Sequence, residues 1–439
     1  MIDFTPFLPP SRGGRLNRWV GAAEAIAAVP EGARIFIGGG ALVPSVLLQE
    51  LDDQRDRYTR LEVVTAGLTR RPAILEHPGR PFWFVTTHAT PAFRRLWDTG
   101  TVDILPARYS DLARIFAPDG PLPADVAIVQ TSAPGPDGRV SLGPSVGVNA
   151  HVVRTAPLVI AQVNPKVPYT FGAGELSTDE IDYLVRAEGD IPVRRAVEDR
   201  GDRDDVSAEV ARLAAQFVLD DSTIQFGVGT IPDAILGNLS SRRGLRVHSG
   251  LISEACIDLY EAGVIEGTMV SAEVLTTPRL LAWMDRNPAV AMGPASYTHG
   301  AGVIAAQRNF VALLSTVEVA LDGACNSESA GGRIISGPGG APDFAFGASL
   351  STGGRSIVAL PSTAADGRIS RIVRSIEPPN PTTMPAYVAD VVVTEHGAAE
   401  VRSLPRRPRA QRLRQLAAPA HRSRGWPRRR SPARRQARR

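Results

Sequence analysis

The sequence has few of the residues that build disulfide-bonded, metal-bound or membrane-embedded proteins. Among 439 residues there are 2 cysteines, Cys256 and Cys325, too few for a disulfide framework or a four-cysteine zinc site. No apolar run reaches the ~18 residues that a membrane-spanning helix needs. The first twenty residues contain no apolar stretch behind a basic start, so we expect no secretory signal. These absences predict a cytoplasmic protein, and no ligand spacing indicates a metal site.

Lysine is almost absent, and the positive charge is unevenly distributed. Lys166 is the single lysine, and the other strongly basic residues are arginines. Fifteen arginines and no acidic residue follow Glu400; without them 34 basic residues stand against 45 acidic ones, so residues 1–400 carry a formal charge of −11. The body of the chain is therefore acidic, and the basicity belongs to its C-terminal segment, for which nucleic-acid binding by counterion release is the less favoured alternative. We predict that the arginine-rich segment 421–439 is a disordered tail.

Short apolar runs alternate with helical patterns along most of the chain. The runs lack the alternation of a half-exposed strand, which indicates strands buried on both faces. They occupy residues 61–65, 82–86, 126–130, 158–163, 311–314, 356–360 and 391–394. A helical pattern covers 206–219. The chain is therefore predicted to be α/β, with two open parallel-rich sheets and flanking helices.

A weak internal repeat indicates that the two sheets belong to related halves. ARIFIGGGALVPSVLLQEL begins at Ala33, and STIQFGVGTIPDAILGNL begins at Ser222. Each contains a β-rich run, a glycine turn, a proline near a helix start and a helical pattern. We predict an N-terminal domain at 1–190 and a C-terminal domain at 206–420, joined by a charged linker. Neither glycine turn has the third glycine of a dinucleotide-binding fingerprint, so strand-to-helix turns are the favoured interpretation.

Five segments carry a family resemblance, and they occur in the family's order. They are ADVAIVQTSAPGPDGRVSLGPSVGVN from Ala124, LVIAQVNPKVPY from Leu158, VHSGLISEA from Val247, GPGGAPDF from Gly337 and VVVTEHGAAEVR from Val391. This set resembles the acetyl-CoA hydrolase/transferase family, which includes the 4-hydroxybutyrate and acetate CoA-transferases. The resemblance covers nearly the whole chain outside the tail. It implies a duplicated CoA-transferase-like fold, coenzyme A as part of the substrate, no metal and a homodimer.

The resemblance places the family's nucleophilic glutamate at Gly250. In the family this carboxylate attacks the acyl-CoA thioester to form an acyl-glutamyl anhydride and then a glutamyl-CoA thioester. Glycine has no group with which to attack. Glu254, about one helical turn further on, is the candidate substitute, with a surface carboxylate as the alternative. His248 either positions a carboxylate or is a hydrogen-bonded histidine at a strand end. Glu328 is a weaker substitute, and Glu395 is expected to make a structural contact.

A glycine-rich loop supplies the second group of candidate residues. Successive backbone N–H groups in such a loop can form an oxyanion hole. The resemblance places the loop over the thioester and the pantetheine arm of CoA. The candidate oxyanion and CoA-binding residues are Gly337, Gly339, Gly340, Asp343, Val228 and Gly229.

Two functions of different class follow from these observations. The first is an acyl-CoA:carboxylate CoA-transferase or short-chain acyl-CoA hydrolase of acetate-type metabolism, in which a water could fill the space beside Gly250. The second is a catalytically degenerate homologue that binds acyl-CoA as a partner or regulatory subunit. The expected partners are acyl-CoA and a short-chain carboxylate, with no membrane and no nucleic acid.

Overall fold

The computed structural model describes residues 2–193, 202–227 and 229–422, and the elements below belong to those residues. Val228, much of the predicted linker and the arginine-rich tail from residue 423 lie outside them. The strands are β1 Arg18–Trp19, β2 Arg34–Ile37, β3 Leu61–Thr65, β4 Phe82–Thr86, β5 Val102–Ile104, β6 Val126–Thr131, β7 Arg139–Ser141, β8 Leu158–Val163, β9 Phe171–Gly172, β10 Glu175–Ser177, β11 Tyr183–Arg186, β12 Thr223–Phe226, β13 Arg246–Ile252, β14 Met269–Val274, β15 Val290–Met292, β16 Phe310–Leu314, β17 Glu318–Ala320, β18 Cys325–Asn326, β19 Ser329–Ala330, β20 Arg333–Ile334, β21 Arg355–Ala359, β22 Thr363–Ala364, β23 Ile369–Ser370, β24 Ile372–Val373, β25 Val391–Thr394 and β26 Gly397–Glu400. The α-helices are α1 Ala22–Ala27, α2 Ser45–Asp53, α3 Leu112–Ile115, α4 Asn149–Thr155, α5 Asp202–Ala215, α6 Thr230–Gly237, α7 Ala255–Glu261, α8 Pro278–Met284, α9 Ala295–Thr298, α10 Ala301–Ala306, α11 Ala341–Leu350 and α12 Arg406–Gln415.

The first large sheet is parallel throughout, and its central strands β8, β6, β2 and β3 are largely buried. Its eight strands follow the order β1-β11-β8-β6-β2-β3-β4-β5. All residues of β6, which has the sequence VAIVQT, are buried. An unbroken apolar run predicts this, because helices cover both faces of a parallel sheet. All seven predicted strands are present, with ends within one residue of the expectation, and the predicted helix 206–219 is observed as α5.

The second large sheet has nine strands in the order β26-β25-β21-β16-β12-β13-β14-β15-β9. Its pairs are parallel except for β25 with β26 at one edge. Strand β9 at the other edge comes from the N-terminal half and pairs with β15. The two halves of the chain therefore exchange backbone hydrogen bonds as well as side-chain contacts.

The two sheets share one strand order, which confirms the predicted duplication. The order is β8-β6-β2-β3-β4-β5 in the first sheet and β21-β16-β12-β13-β14-β15 in the second, so equivalent strands occur in the same sequence along each half. The repeat found in the sequence corresponds to β2 with α2 and to β12 with α6. The fold class is thus α/β with two related parallel-rich sheets. The domain limits 1–190 and 206–420 stay a prediction.

A shared hydrophobic core fixes the two sheets together. One apolar cluster runs from Phe36 and Val129 of the first sheet to Phe226 and Met292 of the second. Two further clusters include residues of α1 and α2 and residues of α11 and α12. Because the strands are held on a rigid core, the loops at their carboxyl ends meet in a fixed arrangement.

Candidate active site

A cavity of about 600 Å³ lies where carboxyl ends of strands from both sheets meet. Ligands of α/β proteins bind at such strand ends, and ligand cavities usually measure roughly 300–1,000 Å³. The N-terminal half contributes Gly40 after β2, His88 after β4 and Tyr109. The C-terminal half contributes Gly250 from β13 and Glu273 from β14, together with the glycine-rich loop at 336–340. The cavity therefore has the size and the position expected of a substrate site.

Gly250 lies against the side chain of His299. A Cβ built at Gly250 would lie 2.7 Å from Nε2 of His299 and 3.1 Å from Cε2 of Phe344. The imidazole of His299 thus occupies the space that a side chain at position 250 would enter. This packing does not support our expectation that a water fills the space beside Gly250.

His299 is held by three neighbours. The centroid of its ring lies 4.4 Å from the ring of Tyr109 and 4.6 Å from the ring of Phe344. Its Nδ1 is 2.9 Å from the hydroxyl of Thr298. Burial lowers the pKa of His299 to about 3, so the ring is neutral near neutral pH. The ring is therefore a fixed, uncharged part of the cavity wall.

The glycine-rich loop packs closely against the N-terminal half. The backbone N–H of Tyr109 donates to the carbonyl of Gly339 at 3.0 Å. A Cβ at Gly337 would lie 1.7 Å from the carbonyl oxygen of Thr87, so only glycine fits there. Gly339 has a φ of 57°, a left-handed conformation that glycine adopts without strain. Gly340 is the N-cap of α11. All three predicted glycines line the cavity.

Asp343 connects the start of α11, which follows the glycine-rich loop, to the N-terminal half. It lies in the first turn of α11 and is 1% exposed. Its carboxylate accepts hydrogen bonds from the backbone N–H of Ser110 at 3.1 Å and from the Ser110 hydroxyl at 2.7 Å. The guanidinium of Arg108 lies 3.5 Å away. Burial raises the pKa of Asp343 to about 6, although these partners lower it. Asp343 therefore joins α11 to the N-terminal half.

We expect Asp343→Ala to lower the free energy of unfolding by roughly 2 kcal/mol, because it leaves the partly buried donors of Ser110 without their charged acceptor. Urea denaturation near neutral pH measures the change. Asp119→Ala is the matched control, since Asp119 is exposed and its loss should change stability by less than about 0.5 kcal/mol. Equal stability of the two variants would contradict the anchoring role.

Glu273 brings a carboxylate into the cavity from the strand next to Gly250. The hydroxyl of Tyr109 donates to its Oε1 at 2.9 Å. Glycines make room for it: a Cβ at Gly40 would lie 2.6 Å from Oε2, and one at Gly147 would lie 3.1 Å from Oε1. Burial raises the pKa of Glu273 to about 7, although hydrogen bonds with Ser145 and Tyr109 lower it. The site therefore contains a carboxyl group that titrates near neutral pH.

Glu273, His299 and Tyr109 are not among the residues that the sequence predicted for the site. The available signal for Glu273 was the segment MVSAEV, in which one acidic residue interrupts an otherwise uncharged strand. Acidic residues are rarely buried unless they have partners, so such an interruption is a reason to suspect a site. The histidine and the tyrosine gave no local signal, because their importance comes from neighbours far away in the sequence.

The other two catalytic candidates, His248 and Glu254, lie outside the cavity lining. Nε2 of His248 is 2.9 Å from the carbonyl oxygen of Thr298, and burial lowers the pKa of His248 to about 4. Glu254 accepts a hydrogen bond from the hydroxyl of Thr277 and lies 3.7 Å from Arg279. The structure thus gives these side chains packing and helix-end contacts, and it does not bring them together with Gly250.

The remaining sequence candidates have other partners or fall outside the description. Glu328 accepts from the hydroxyl of Thr383 at 2.8 Å. Glu395 accepts from the backbone N–H of Ser362 at 2.8 Å, a structural contact of the expected kind. The predicted CoA-site residue Gly229 is the N-cap of α6, with a φ of 136°. Its predicted companion, Val228, lies outside the described residues.

The described residues contain neither a cluster of metal-ligand side chains nor a helix that could span a membrane. Within residues 2–193, 202–227 and 229–422, no group of three or more His, Cys, Asp or Glu side chains has the arrangement to hold a metal ion. No helix in the same part of the chain is both long enough and apolar enough to span a bilayer.

Comparison with protein families identifies the relatives of this chain. The model of the acetyl-CoA hydrolase/transferase N-terminal domain matches residues 16–193, and the model of the corresponding C-terminal domain matches residues 277–424. The chain belongs to the acetyl-CoA hydrolase/transferase family. This confirms the resemblance that the five sequence motifs indicated, and it places the protein among enzymes of the CoA-transferase and acetyl-CoA hydrolase class.

Individual relatives within the acetyl-CoA hydrolase/transferase family span almost the whole chain. The 4-hydroxybutyrate coenzyme A transferase of Clostridium kluyveri is 32% identical over 415 residues, which cover 92% of this chain and 96% of that protein. The butyryl-CoA:acetate CoA-transferase of Anaerostipes caccae is 28% identical over 416 residues, covering 91% and 92%. The crystal structure of RipA from Yersinia pestis superimposes with a TM-score of 0.84 at 28% identity, covering 92% and 95%. The similarity therefore includes both halves of the chain.

Proposed function

We propose that this protein is a CoA-transferase that moves coenzyme A from an acyl-CoA to a short-chain carboxylic acid, with acyl-CoA hydrolysis as the alternative outcome. The observation that carries the proposal is the cavity between the two sheets, which joins a glycine-rich loop to a buried carboxylate. Two relatives that match more than nine-tenths of the chain are named as CoA-transferases, which supports transfer over hydrolysis.

The glycine-rich loop suits the charge that develops when a thioester is attacked. The carbonyl oxygen becomes an oxyanion in the tetrahedral intermediate, and backbone N–H groups around Gly339 and Gly340 are our candidates for its donors. These residues lead into α11, a ten-residue helix whose N-terminal end favours negative charge. The pantetheine arm would follow the same loop, and Val228 and Gly229, the CoA-site residues predicted from the sequence, would contribute to the CoA site.

We also propose a cytoplasmic location, as the sequence predicts, and a homodimer, as the resemblance to the family implies. The proposed pathway is acetate-type metabolism. The homodimer is tested directly by light scattering of the purified protein, which should give about twice the chain mass of 46.8 kDa. A mass of a single chain would contradict that part of the proposal.

The activity is tested with purified protein, butyryl-CoA or acetyl-CoA, and acetate or butyrate as acceptor. Chromatography of the CoA esters follows transfer, and a thiol reagent follows free CoA. A transferase converts one CoA ester into the other with little free thiol, whereas a hydrolase releases thiol without an acceptor. We expect transfer. Release of thiol at the same rate with and without acceptor would support hydrolysis instead.

A second candidate function is supported by the packing at Gly250. Because His299 fills the space that a glutamate at position 250 would use, the protein could bind acyl-CoA without turning it over, as a partner or regulatory subunit. This candidate predicts that acyl-CoA raises the melting temperature while neither ester exchange nor thiol release occurs. Any turnover by the purified protein would exclude it.

A further inference from the structure

We propose that Glu273 is the carboxylate nucleophile of this enzyme and performs, from the neighbouring strand, the role that glycine at position 250 cannot perform. The inference rests on the CoA-transferase function proposed above and adds the residue that carries the covalent chemistry. Its basis is the location of the Glu273 side chain, its contacts and the space that the surrounding glycines leave for it.

The sheet register brings Glu273 close to the position that lacks a nucleophile. Strands β13 and β14 are adjacent and parallel, and Leu251 pairs with Glu273. Gly250 precedes Leu251, so Gly250 and Glu273 lie on neighbouring strands one residue apart in register, and residues offset in this way start on opposite faces of a sheet. Both positions are near the carboxyl ends of their strands, where the cavity opens, and the Glu273 side chain enters the cavity toward Tyr109, Gly40 and Gly147. Both residues line the same cavity.

The surroundings of Glu273 form a built site for a carboxylate. The side chain is deep in the protein yet remains partly exposed to the cavity. Gly40 and Gly147 leave space for its two oxygens, and Tyr109 fixes Oε1 by its hydrogen bond of 2.9 Å. Tyr109 also contacts His299, the side chain that fills the space beside Gly250. One cluster of contacts thus fills the space at position 250 and holds a carboxylate in the same cavity.

The reaction balances with Glu273 as the attacking group. An oxygen of Glu273 bonds to the thioester carbonyl carbon, the C–S bond breaks, and CoA leaves as a thiolate. The thiolate then attacks the Glu273 carbonyl carbon of the resulting anhydride, the acid leaves as its carboxylate, and Glu273 carries CoA as a thioester. An acceptor carboxylate reverses the two steps and removes CoA as a new ester. No proton, oxidant or reductant is consumed.

The pH dependence of kcat/KM provides a second test of Glu273 as the nucleophile. Attack requires the ionised carboxylate, so kcat/KM of the native enzyme should rise with pH and level off above the pKa of Glu273, which is about 7. The titratable groups around it are Tyr109, whose pKa is raised by burial, and His299 and His88, whose pKa values are lowered by burial. Tyr109 and His299 therefore stay neutral near pH 7, and burial shifts the pKa of His88 in the direction that also favours its neutral form. Asp343 titrates lower, at about 6.

A purely structural role for Glu273 predicts a different result. Glu273 connects β14 to Tyr109 of the N-terminal half, and a glutamine could still accept that hydrogen bond through its amide oxygen. Glu273→Gln should therefore fold and bind CoA in either case. The variant separates the two roles, because an amide oxygen cannot act as the nucleophile.

The experiment compares the native protein with Glu273→Gln and with Glu261→Gln. Glu261 is the matched control, since its side chain is 57% exposed and lies at the end of α7. Each protein is incubated with butyryl-CoA, and the intact mass and peptide map are recorded beside the rate of transfer to acetate. We expect covalent CoA on the peptide that contains Glu273. We also expect Glu273→Gln to lose roughly 10³-fold or more in kcat, and Glu261→Gln to keep both rate and adduct.

Each outcome decides between the proposals. Transfer by the native protein with an adduct on another residue, such as Glu254, would overturn the role of Glu273 and leave the transferase function standing. Native rates in Glu273→Gln would do the same. No transfer and no adduct in the native protein would overturn both. If Glu273→Gln failed to fold, the position of the adduct in the native protein would still decide.

Discussion

Gly337→Ala should displace the glycine-rich loop and remove most of the catalytic activity. A Cβ at this position would lie 1.7 Å from the carbonyl oxygen of Thr87 and 2.9 Å from its carbonyl carbon. These are backbone atoms that follow strand β4, so they cannot move aside as the end of a side chain can. The loop must therefore shift away from the N-terminal half, and Gly339 and Gly340 would shift with it.

The expected magnitude follows from the geometry that catalysis requires. Overpacking usually costs about 1–3 kcal/mol, and a displacement of about 1 Å at a reacting group can cost roughly 10²-fold in rate. We expect a loss of this order in kcat/KM together with a lower melting temperature. Gly302→Ala is the matched control, because Gly302 lies in α10 and a Cβ there meets nothing within 4 Å. Similar behaviour of the two variants would contradict the close contact at Thr87.

The fold was predictable because its signal is local and repeated. Buried parallel strands such as β6 and β8 are continuous apolar runs, which require no knowledge of distant contacts. The duplication was visible because both halves open with a strand, a glycine turn and a helix. The edge strand β9 was not predicted, since two residues carry no periodicity and their pairing with β15 depends on the arrangement of the whole chain.

The candidate site was predicted only in part. The three loop glycines reach the cavity as expected, because a motif keeps its residues together in the chain. The sequence favoured Glu254 as the replacement carboxylate, because Glu254 is near Gly250 along the chain. The structure instead places Glu273 in the cavity from the adjacent strand. Strand pairing is non-local, so sequence distance is a poor guide to which carboxylate can replace another.

The packing at Gly250 also changes what the substitution of a glutamate there should do. Restoring the family's residue would be expected to restore its chemistry only if the space were open. The Cβ alone would lie 2.7 Å from the His299 ring, and that ring is fixed by Tyr109, Phe344 and Thr298. The ring cannot turn away without disturbing these contacts. Position 250 therefore has no room for a side chain while His299 is present.

We accordingly expect Gly250→Glu to lower the free energy of unfolding by about 1–3 kcal/mol and to give no gain in transfer. His299→Ala alone should also destabilise the protein, because it leaves a cavity between Tyr109 and Phe344. The double variant should lose less free energy of unfolding than the two single variants lose together, with a coupling energy of roughly 1 kcal/mol or more. The reason is that the glutamate at position 250 would fill the cavity that His299→Ala leaves. Denaturation of the four proteins in this cycle measures the coupling. Simple additivity of the two losses would show that the imidazole does not occupy the space beside Gly250. Position 250 would then have room for a side chain.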